Sequence, residues 1–243
     1  MKMISKLVWY DIQEKRGKSM AKDYSVFDVV GPNMIGPSSS HTAGAARLGK
    51  TASKIAGKPV KEVKFLLHGS FAETYKGHGT DKALVGGILG FDPEDARIRN
   101  SFDIAEENGV KFEFIKTDLG ENEHPNTVKM EMILEDGSKS VVKGASIGGG
   151  NIKLTEMDGL SLDFNGAKPA VILEIKDIPG AVSFVTGLLA HNNKNIATMS
   201  TNRPAGSKYT FVTIETDEPL EQEILDQISK FEVVAKAVVL DKF

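Results

Sequence analysis

The chain has 243 residues, and 30 Lys and Arg against 33 Asp and Glu give a formal net charge of −3. With 40% hydrophobic residues it can bury a core, which argues against disorder or a fibrous repeat. The mild negative charge argues against nucleic-acid or anionic-membrane binding, and no apolar run approaches the ~18 residues that span a membrane.

The sequence contains no cysteine. The chain alone can therefore hold no disulfide, no thiolate zinc site, no cysteine-ligated iron–sulfur cluster and no cysteine nucleophile. Its five histidines lack the H-x₃-H spacing of a metal site, so we expect no metal within this chain. The lack of cysteine is compatible with a reducing cytoplasm, where we expect the protein to act.

The chain divides into three predicted regions. Residues 1–19 are charged and weakly patterned, which predicts a loosely ordered tail, because untethered termini fray. Their longest apolar run, Leu7–Tyr10, is too short for a signal-peptide core. We predict an α/β (α+β) domain over 20–165 and a second domain over 166–243. The turn formers of Asp163–Lys168 indicate the linker.

The first domain alternates helical and strand patterns. A helix is predicted to end at Gly57, where glycine is favoured after the last turn. Asp136-Gly137 is typical of a hairpin turn. Apolar spacing predicts strands at Val60–Leu67, Val110–Lys116, Thr127–Glu135 and Ser138–Ile147, and helices at Thr80–Leu89 and Asn100–Asn108.

One segment of this domain matches a nucleotide-binding pattern. Gly44–Thr51 satisfies G-x-x-x-x-G-K-[ST], but a phosphate loop needs a buried strand ending at its first glycine. Here a polar Ser/His segment precedes Gly44. Leu48, Ala52 and Ile55 continue one apolar stripe, which indicates the body of a helix. We therefore expect no nucleotide site.

The candidate functional residues are concentrated just before the predicted helix that ends at Gly57. Ser38, Ser39, Ser40 and Thr42 surround His41. Serine at this place commonly caps a helix, yet three hydroxyls and an imidazole exceed what a cap needs. Packed at a helix start they would form a small anion site, with His41 available as acid or base. Plain capping and ligand binding both stay open from residue types alone.

The last 75 residues follow a regular order. Apolar periodicity predicts β-α-β-β-α-β, with elements at Pro169–Lys176, Ala181–His191, Asn195–Thr201, Tyr209–Thr216, a helix starting near Pro219, and Val233–Leu240. This order is the ferredoxin-like arrangement.

Together with the Asp177-Ile178-Pro179-Gly180 turn, this order resembles an ACT domain, the small amino-acid-sensing module. The resemblance implies that the turn and the following helix meet a second copy and can hold an amino acid. It gives Asp177, Pro179, Gly180, Asn192 and Asn195 as ligand or interface residues. His191 is a further ligand candidate. The alternatives are a dimerisation scaffold without ligand and, for His191, Asn192 and Asn195, an ordinary polar helix end.

Three motifs identify the wider family. The run VGPNMIGPSSSHTAGAARLG from Val30 to Gly49, the Gly77–Asp81 segment (GHGTD), Ser146–Gly150 (SIGGG) and a final ACT module resemble the β chain of bacterial iron–sulfur-dependent L-serine dehydratase. The first domain is accordingly expected to be similar to the allosteric substrate-binding domains of some phosphoglycerate dehydrogenases. The resemblance to the L-serine dehydratase family implies conversion of L-serine to pyruvate and ammonia, a step of amino-acid degradation and gluconeogenesis.

The resemblance also implies a partner. In the family, a [4Fe–4S] cluster is carried on cysteines of an α chain or of an α-like region, and no pyridoxal phosphate (PLP) is required. The absence of cysteine here agrees with the two-chain form. We therefore expect an α-chain partner and L-serine as substrate, together with homodimerisation through the ACT domain.

The same resemblance implies roles for the Ser/His cluster. Ser38, Ser39, Ser40 and Thr42 would bind the substrate carboxylate, and His41 would be the base. His78 is expected to take part in catalysis and Thr80 to bind substrate in the same pocket. For His78 the alternative is an exposed imidazole in a glycine-rich turn. The rival function is a stand-alone amino-acid-binding regulator that dimerises through its ACT domain.

Overall fold

The computed structural model describes residues 33–242. The predicted tail over residues 1–19 lies outside these residues, as does the start of the predicted 20–165 domain. Residues 33–164 build a six-stranded sheet with helices, called here the N-terminal unit, and residues 170–242 build a four-stranded sheet with two helices, the C-terminal unit. The predicted mixed α/β class is confirmed.

The N-terminal unit contains six strands and a series of short helices. Its strands are β1 (Val60–Leu67), β2 (Lys111–Lys116), β3 (Thr127–Leu134), β4 (Lys139–Gly148), β5 (Asn151–Met157) and β6 (Leu160–Phe164). Its helical segments are a π-helical turn (Ser39–Gly44), α1 (Ala45–Ala56), α2 (Gly69–Thr74), α3 (Thr80–Ile88), a 3₁₀ turn (Ala96–Asn100) and α4 (Ser101–Glu107).

The sheet order is β2-β1-β3-β4-β5-β6, with β1 and β2 parallel and the other pairs antiparallel. Alternate residues of β1, such as Val63, Phe65 and Leu67, are fully buried under the helices. Because successive side chains of a strand point to opposite faces, the intervening Lys64 and Leu66 lie on the other, partly exposed face. This alternation is the pattern that allowed the sequence to predict the strand.

Two of the sheet's strands and one helix escape the sequence prediction. β5, β6 and α2 are short, and β6 mixes Ser161 and Asp163 with its apolar residues. The predicted linker Asp163–Lys168 is wrong at its start, because Asp163 and Phe164 end β6 and Phe164 is fully buried. The connection is residues 165–169.

The C-terminal unit has the predicted order of elements. It comprises β7 (Ala170–Lys176), α5 (Ala181–His191), β8 (Ile196–Asn202), β9 (Tyr209–Thr216), α6 (Gln222–Ser229) and β10 (Val234–Leu240). The sheet order β10-β7-β9-β8 is antiparallel throughout, which is the ferredoxin-like fold. Pro219 lies before α6, whose N-cap is Glu221, so the helix begins three residues beyond the proline near which it was predicted to start.

The two units share a hydrophobic core. In β7, Val171, Leu173 and Ile175 face α5 and α6, whereas Ile172 packs with the core of the N-terminal unit. Leu240 of β10 joins the same core. The sheet of the C-terminal unit is thus covered by its own helices on one face and by the N-terminal unit on part of the other.

No helix within residues 33–242 has the length and apolarity needed to cross a membrane.

Candidate active site

The Ser/His cluster lies on the π-helical turn that leads into α1. Ser38 is its N-cap: the Oγ atom accepts a hydrogen bond from the His41 main-chain N–H at 3.2 Å. The Thr42 main-chain N–H donates to the Ser38 carbonyl at 2.8 Å. The capping role predicted for serine is therefore confirmed for Ser38. Single π-helical turns of this kind occur frequently at functional sites.

His41 is held by residues from two directions. Its Nε2 atom lies 3.1 Å from the Oγ of Ser70, and its Nδ1 atom lies 3.4 Å from the Oγ of Ser38. The ring of Phe71 meets the imidazole edge-on, with centroids 5.3 Å apart. The imidazole of His78 lies alongside, with a centroid separation of 4.9 Å. The structure thus brings the two predicted catalytic histidines together.

The surroundings lower the pKa of His41 below its usual 6.5. Burial has the largest effect, since it penalises the charged imidazolium. The neighbouring His78 adds repulsion, and a hydrogen bond to the Ser70 main chain works in the opposite direction. A lowered pKa leaves the imidazole neutral near pH 7 and able to accept a proton.

The serines and threonines of the cluster divide into two groups. Ser38, Ser39 and Ser40 are half-buried on the turn that carries His41. Thr42 is buried, and its hydroxyl donates to the carbonyl of His78 at 3.3 Å. Thr80 is fully buried. Both threonine side chains are therefore closed to solvent in the single chain, and their contact with substrate stays a prediction.

His78 lies in an exposed glycine-rich turn, the Gly77–Gly79 segment before α3. Gly79 adopts a left-handed conformation with φ of 70°, which glycine takes up without strain. The alternative of an exposed imidazole in a glycine-rich turn is confirmed, and the same imidazole faces His41. Its part in catalysis stays a prediction.

Two further serines at the site were not assigned from the sequence. Ser70 is the second residue of α2, just after β1, and its only sequence signal is the strand end at His68-Gly69. Ser146 on β4 is fully buried, and its Oγ has no hydrogen-bond partner among the described residues. A Cβ on Gly44 would stand 2.1 Å from that Oγ, so Gly44 lets the π-helical turn approach β4 closely.

Two histidines outside the Ser/His cluster, His68 and His124, have structural partners. His68 accepts a hydrogen bond from the Leu119 N–H at 3.1 Å, and His124 accepts one from the Asn126 N–H at the same distance. Within residues 33–242 there is no group of three or more His, Cys, Asp or Glu placed to bind a metal ion. Gly44–Thr51 ends the π-helical turn and enters α1, so the segment is helical and is not a phosphate loop.

The residues expected to form an ACT ligand site lie at two ends of α5. Asp177, Pro179 and Gly180 are exposed before its first turn, and Asp177 pairs with Arg203 at 3.1 Å. At the other end the Asn192 side chain donates to the Leu188 carbonyl at 2.9 Å, and Asn195 donates to Asp217 at 2.5 Å. Eleven helical residues span about 16 Å. A single chain therefore does not bring the two groups together.

Comparison with known proteins gives a consistent result. The family described as "Serine dehydratase beta chain" matches residues 25–113. The L-serine dehydratase beta chain of Peptoniphilus asaccharolyticus is 44% identical over 206 residues, which cover 85% of this chain and 93% of that protein. The probable L-serine dehydratase beta chain of Bacillus subtilis has the same identity and coverage.

A solved structure matches a smaller part of the chain. The ACT domain of the GTP pyrophosphokinase from Chlorobium tepidum is 18% identical, with a TM-score of 0.24, and the match covers 30% of this chain and 95% of that one. The family assignment rests on the two full-length relatives: this chain belongs to the family of L-serine dehydratase beta chains.

Proposed function

We propose that this chain, together with an α chain, converts L-serine to pyruvate and ammonia, and that His41 is the general base. The supporting observation is the environment of His41: an imidazole set between two hydroxyls, beside a second imidazole, with its pKa held below the usual 6.5. Removal of water from serine requires a base for the α-proton, an anchor for the carboxylate and an electrophile for the departing hydroxyl.

The base and the anchor can both come from this chain. His41 takes the α-proton as the Cα–H bond breaks, and the electron pair of that bond forms the new double bond as the hydroxyl leaves Cβ. The half-buried hydroxyls of Ser39 and Ser40 flank His41 on the same turn and donate to the substrate carboxylate. His78 is exposed beside His41, where its ring N–H can donate to the same carboxylate.

The electrophile is assigned to the partner. This chain has no cysteine, so it offers none of the thiolates that hold iron–sulfur clusters. A [4Fe–4S] cluster on the α chain would supply the Lewis acid for the departing hydroxyl, and no pyridoxal phosphate is needed. The proposed compartment is the cytoplasm, whose reducing conditions suit a cluster-bearing partner.

Anaerobic co-expression with an α chain tests this proposal. We expect the complex to form pyruvate from L-serine and the separately purified chain to form none. His41→Asn in the complex should lower kcat by about 10²–10⁴, the usual effect of losing a general base, while the cluster absorbance and subunit assembly stay unchanged. Pyruvate formation by the chain alone, or a near-normal kcat for His41→Asn, would contradict the assignment.

A second proposal concerns the C-terminal unit, which we assign to homodimerisation and to amino-acid binding at the turn before α5. Pro179 and Gly180 are exposed there, the backbone of Gly180 is left-handed, and the adjacent Ile178 is 51% exposed. The edge strand β8 also exposes Met199. Exposed apolar side chains and an open strand edge are features that a second copy can cover.

Sedimentation of the chain with and without L-serine tests this second proposal. A dimer would support the proposal, as would an L-serine affinity, measured by calorimetric titration, that falls in Asp177→Ala. A monomer at all concentrations would refute the dimer.

The comparisons favour the enzyme subunit over the stand-alone regulator. A homodimer that binds an amino acid but gives no turnover with any α chain would instead favour the function of a stand-alone regulator.

A further inference from the structure

The Nε2 side of His41 faces Ser70. The Ser70 hydroxyl lies 3.1 Å from Nε2. A serine hydroxyl can either donate or accept, so the 3.1 Å contact by itself allows both roles for Ser70. The partner of the other ring nitrogen therefore decides which role Ser70 takes.

The Nδ1 side has a different partner. The Oγ of Ser38 accepts the main-chain N–H of His41, and it lies 3.4 Å from Nδ1. Having accepted that bond, the hydroxyl keeps its own proton free to point at a lone pair on Nδ1. The contact is long and local, so a substrate hydrogen can displace it more easily than it can displace Ser70.

We propose that Ser70 is a positioning residue that holds the neutral His41 as its Nε2–H tautomer, so that Nδ1 is the atom that receives the α-proton of serine. This inference rests on the proposed role of His41 as the base. The tautomer of a functional histidine is commonly set by the hydrogen bond that its other nitrogen makes.

The backbone around Ser70 is fixed by its neighbours. Gly69 has φ of +54°, and a Cβ there would stand 2.7 Å from the carbonyl oxygen of Pro125. The Phe71 N–H donates to the same carbonyl at 3.3 Å, and the Thr74 hydroxyl donates to the Ser70 carbonyl at 2.8 Å. The start of α2 therefore keeps Ser70 in place while His41 changes charge.

Proton uptake strengthens this contact. When Nδ1 takes the proton, the ring becomes an imidazolium, and the Nε2–H···Oγ bond to Ser70 becomes charge-assisted. Among the described residues, the groups that face the ring are Ser38 on its own turn, Ser70 and Phe71 from α2, and His78 from the turn before α3. Only His78 can carry charge, and it opposes the imidazolium.

Nitrogen-15 NMR of the histidines tests the tautomer in the separately purified chain, with no need for turnover. The His41 signals are identified by their loss in His41→Asn. We expect Nε2 to be protonated and Nδ1 unprotonated in the neutral form of the wild-type chain. A protonated Nδ1 in the neutral form would overturn the proposal. Because the measurement uses the wild-type chain, it does not depend on whether a Ser70 variant folds.

The Ser70→Ala variant gives the second reading. Loss of an acceptor of the Nε2–H bond should lower the pKa of His41 in the NMR titration, whereas a raised pKa would mean that Ser70 donates to Nε2 and would also overturn the proposal. Ser70→Thr keeps a hydroxyl and should restore the wild-type titration. Ser229→Ala, an exposed serine on α6, is the matched control and should leave the His41 titration unchanged.

Turnover in the α–β complex separates positioning from folding. Ser70→Ala should lower kcat on the order of 10–100-fold, the effect of removing a hydrogen-bond partner behind a functional histidine, and should move the acid limb of the kcat/KM profile to lower pH. An unchanged limb and kcat would refute positioning. A near-normal kcat for His41→Asn would refute the base assignment instead, and the NMR result would still report the tautomer.

Discussion

Gly49 of α1 and Gly87 of α3 lie at the point where the two helices cross. A Cβ on Gly49 would stand 2.4 Å from the Leu84 carbonyl oxygen and 3.1 Å from the Cα of Gly87, and a Cβ on Gly87 would stand 2.2 Å from the Ala46 carbonyl oxygen. The helices approach so closely that neither position has room for a side chain. The second glycine of the apparent nucleotide motif is thus explained by helix packing.

Gly49→Ala should destabilise the fold. The nearest neighbours are main-chain atoms, which cannot move aside by changing rotamer, so the helices must separate. Overpacking of this kind costs about 1–3 kcal/mol, which outweighs the ~1 kcal/mol that alanine gains over glycine within a helix. Chemical denaturation of the purified chain would measure the loss in the free energy of unfolding.

Gly187→Ala is the matched control for this change. Gly187 is exposed within α5, has no positive φ, and a Cβ there meets nothing within 4 Å. Alanine should therefore stabilise the chain by up to about 1 kcal/mol. Equal effects of the two substitutions would contradict the packing explanation of Gly49.

Lys50→Ala should leave activity within a few-fold of the wild-type complex. Lys50 pairs with Asp92 at 2.5 Å, and both side chains are largely exposed, so the pair contributes about 0–1 kcal/mol. Calorimetric titration with Mg-ATP should show no binding in either protein. Tight Mg-ATP binding that Lys50→Ala abolishes would contradict this and would identify Gly44–Thr51 as a nucleotide site.

The fold was predictable wherever one face of an element is buried and the other is not. β1, β9 and α5 have the bounds expected from their apolar spacing. β5 and β6 were missed because they are short and partly polar, so their strand conformation depends on pairing with each other and with β4 more than on a local apolar pattern. The shared core of the two units was also missed, because Ile172 and Leu240 fit equally well into the core of either unit.

The candidate site was predictable in part for the same reason. His41 and the serines around it are adjacent in sequence, so residue types alone drew attention to them. Ser70 lies 29 residues beyond His41. The two side chains come into contact only in the folded chain, where the start of α2, which follows β1, lies beside the π-helical turn. The lowered pKa of His41 has causes that a local sequence pattern does not show, namely burial and the neighbouring His78.

His78→Gln should move the acid limb of the kcat/KM profile of the complex to higher pH. His78 lowers the pKa of His41 by charge repulsion. Without this repulsion the pKa of His41 rises toward 6.5, so more of the base is protonated near pH 6 and activity there falls further than at pH 8. His191→Gln, an exposed histidine on α5, should leave the limb in place. A limb that moves to lower pH would contradict the repulsion.

Leu240→Ala and Leu189→Ala should lower the midpoint of one common thermal transition. Leu240 on β10 is buried in the core of the N-terminal unit, and Leu189 on α5 is buried in the core of the C-terminal unit. Each truncation costs about 2–5 kcal/mol. Because β7 contributes Ile172 to one core and Leu173 to the other, neither core can lose its packing while the other stays intact.

Differential scanning calorimetry of the two variants would show a single displaced peak in each case. A separate low-temperature peak in Leu189→Ala alone would mean that the C-terminal unit unfolds by itself and that the shared core does not couple the two.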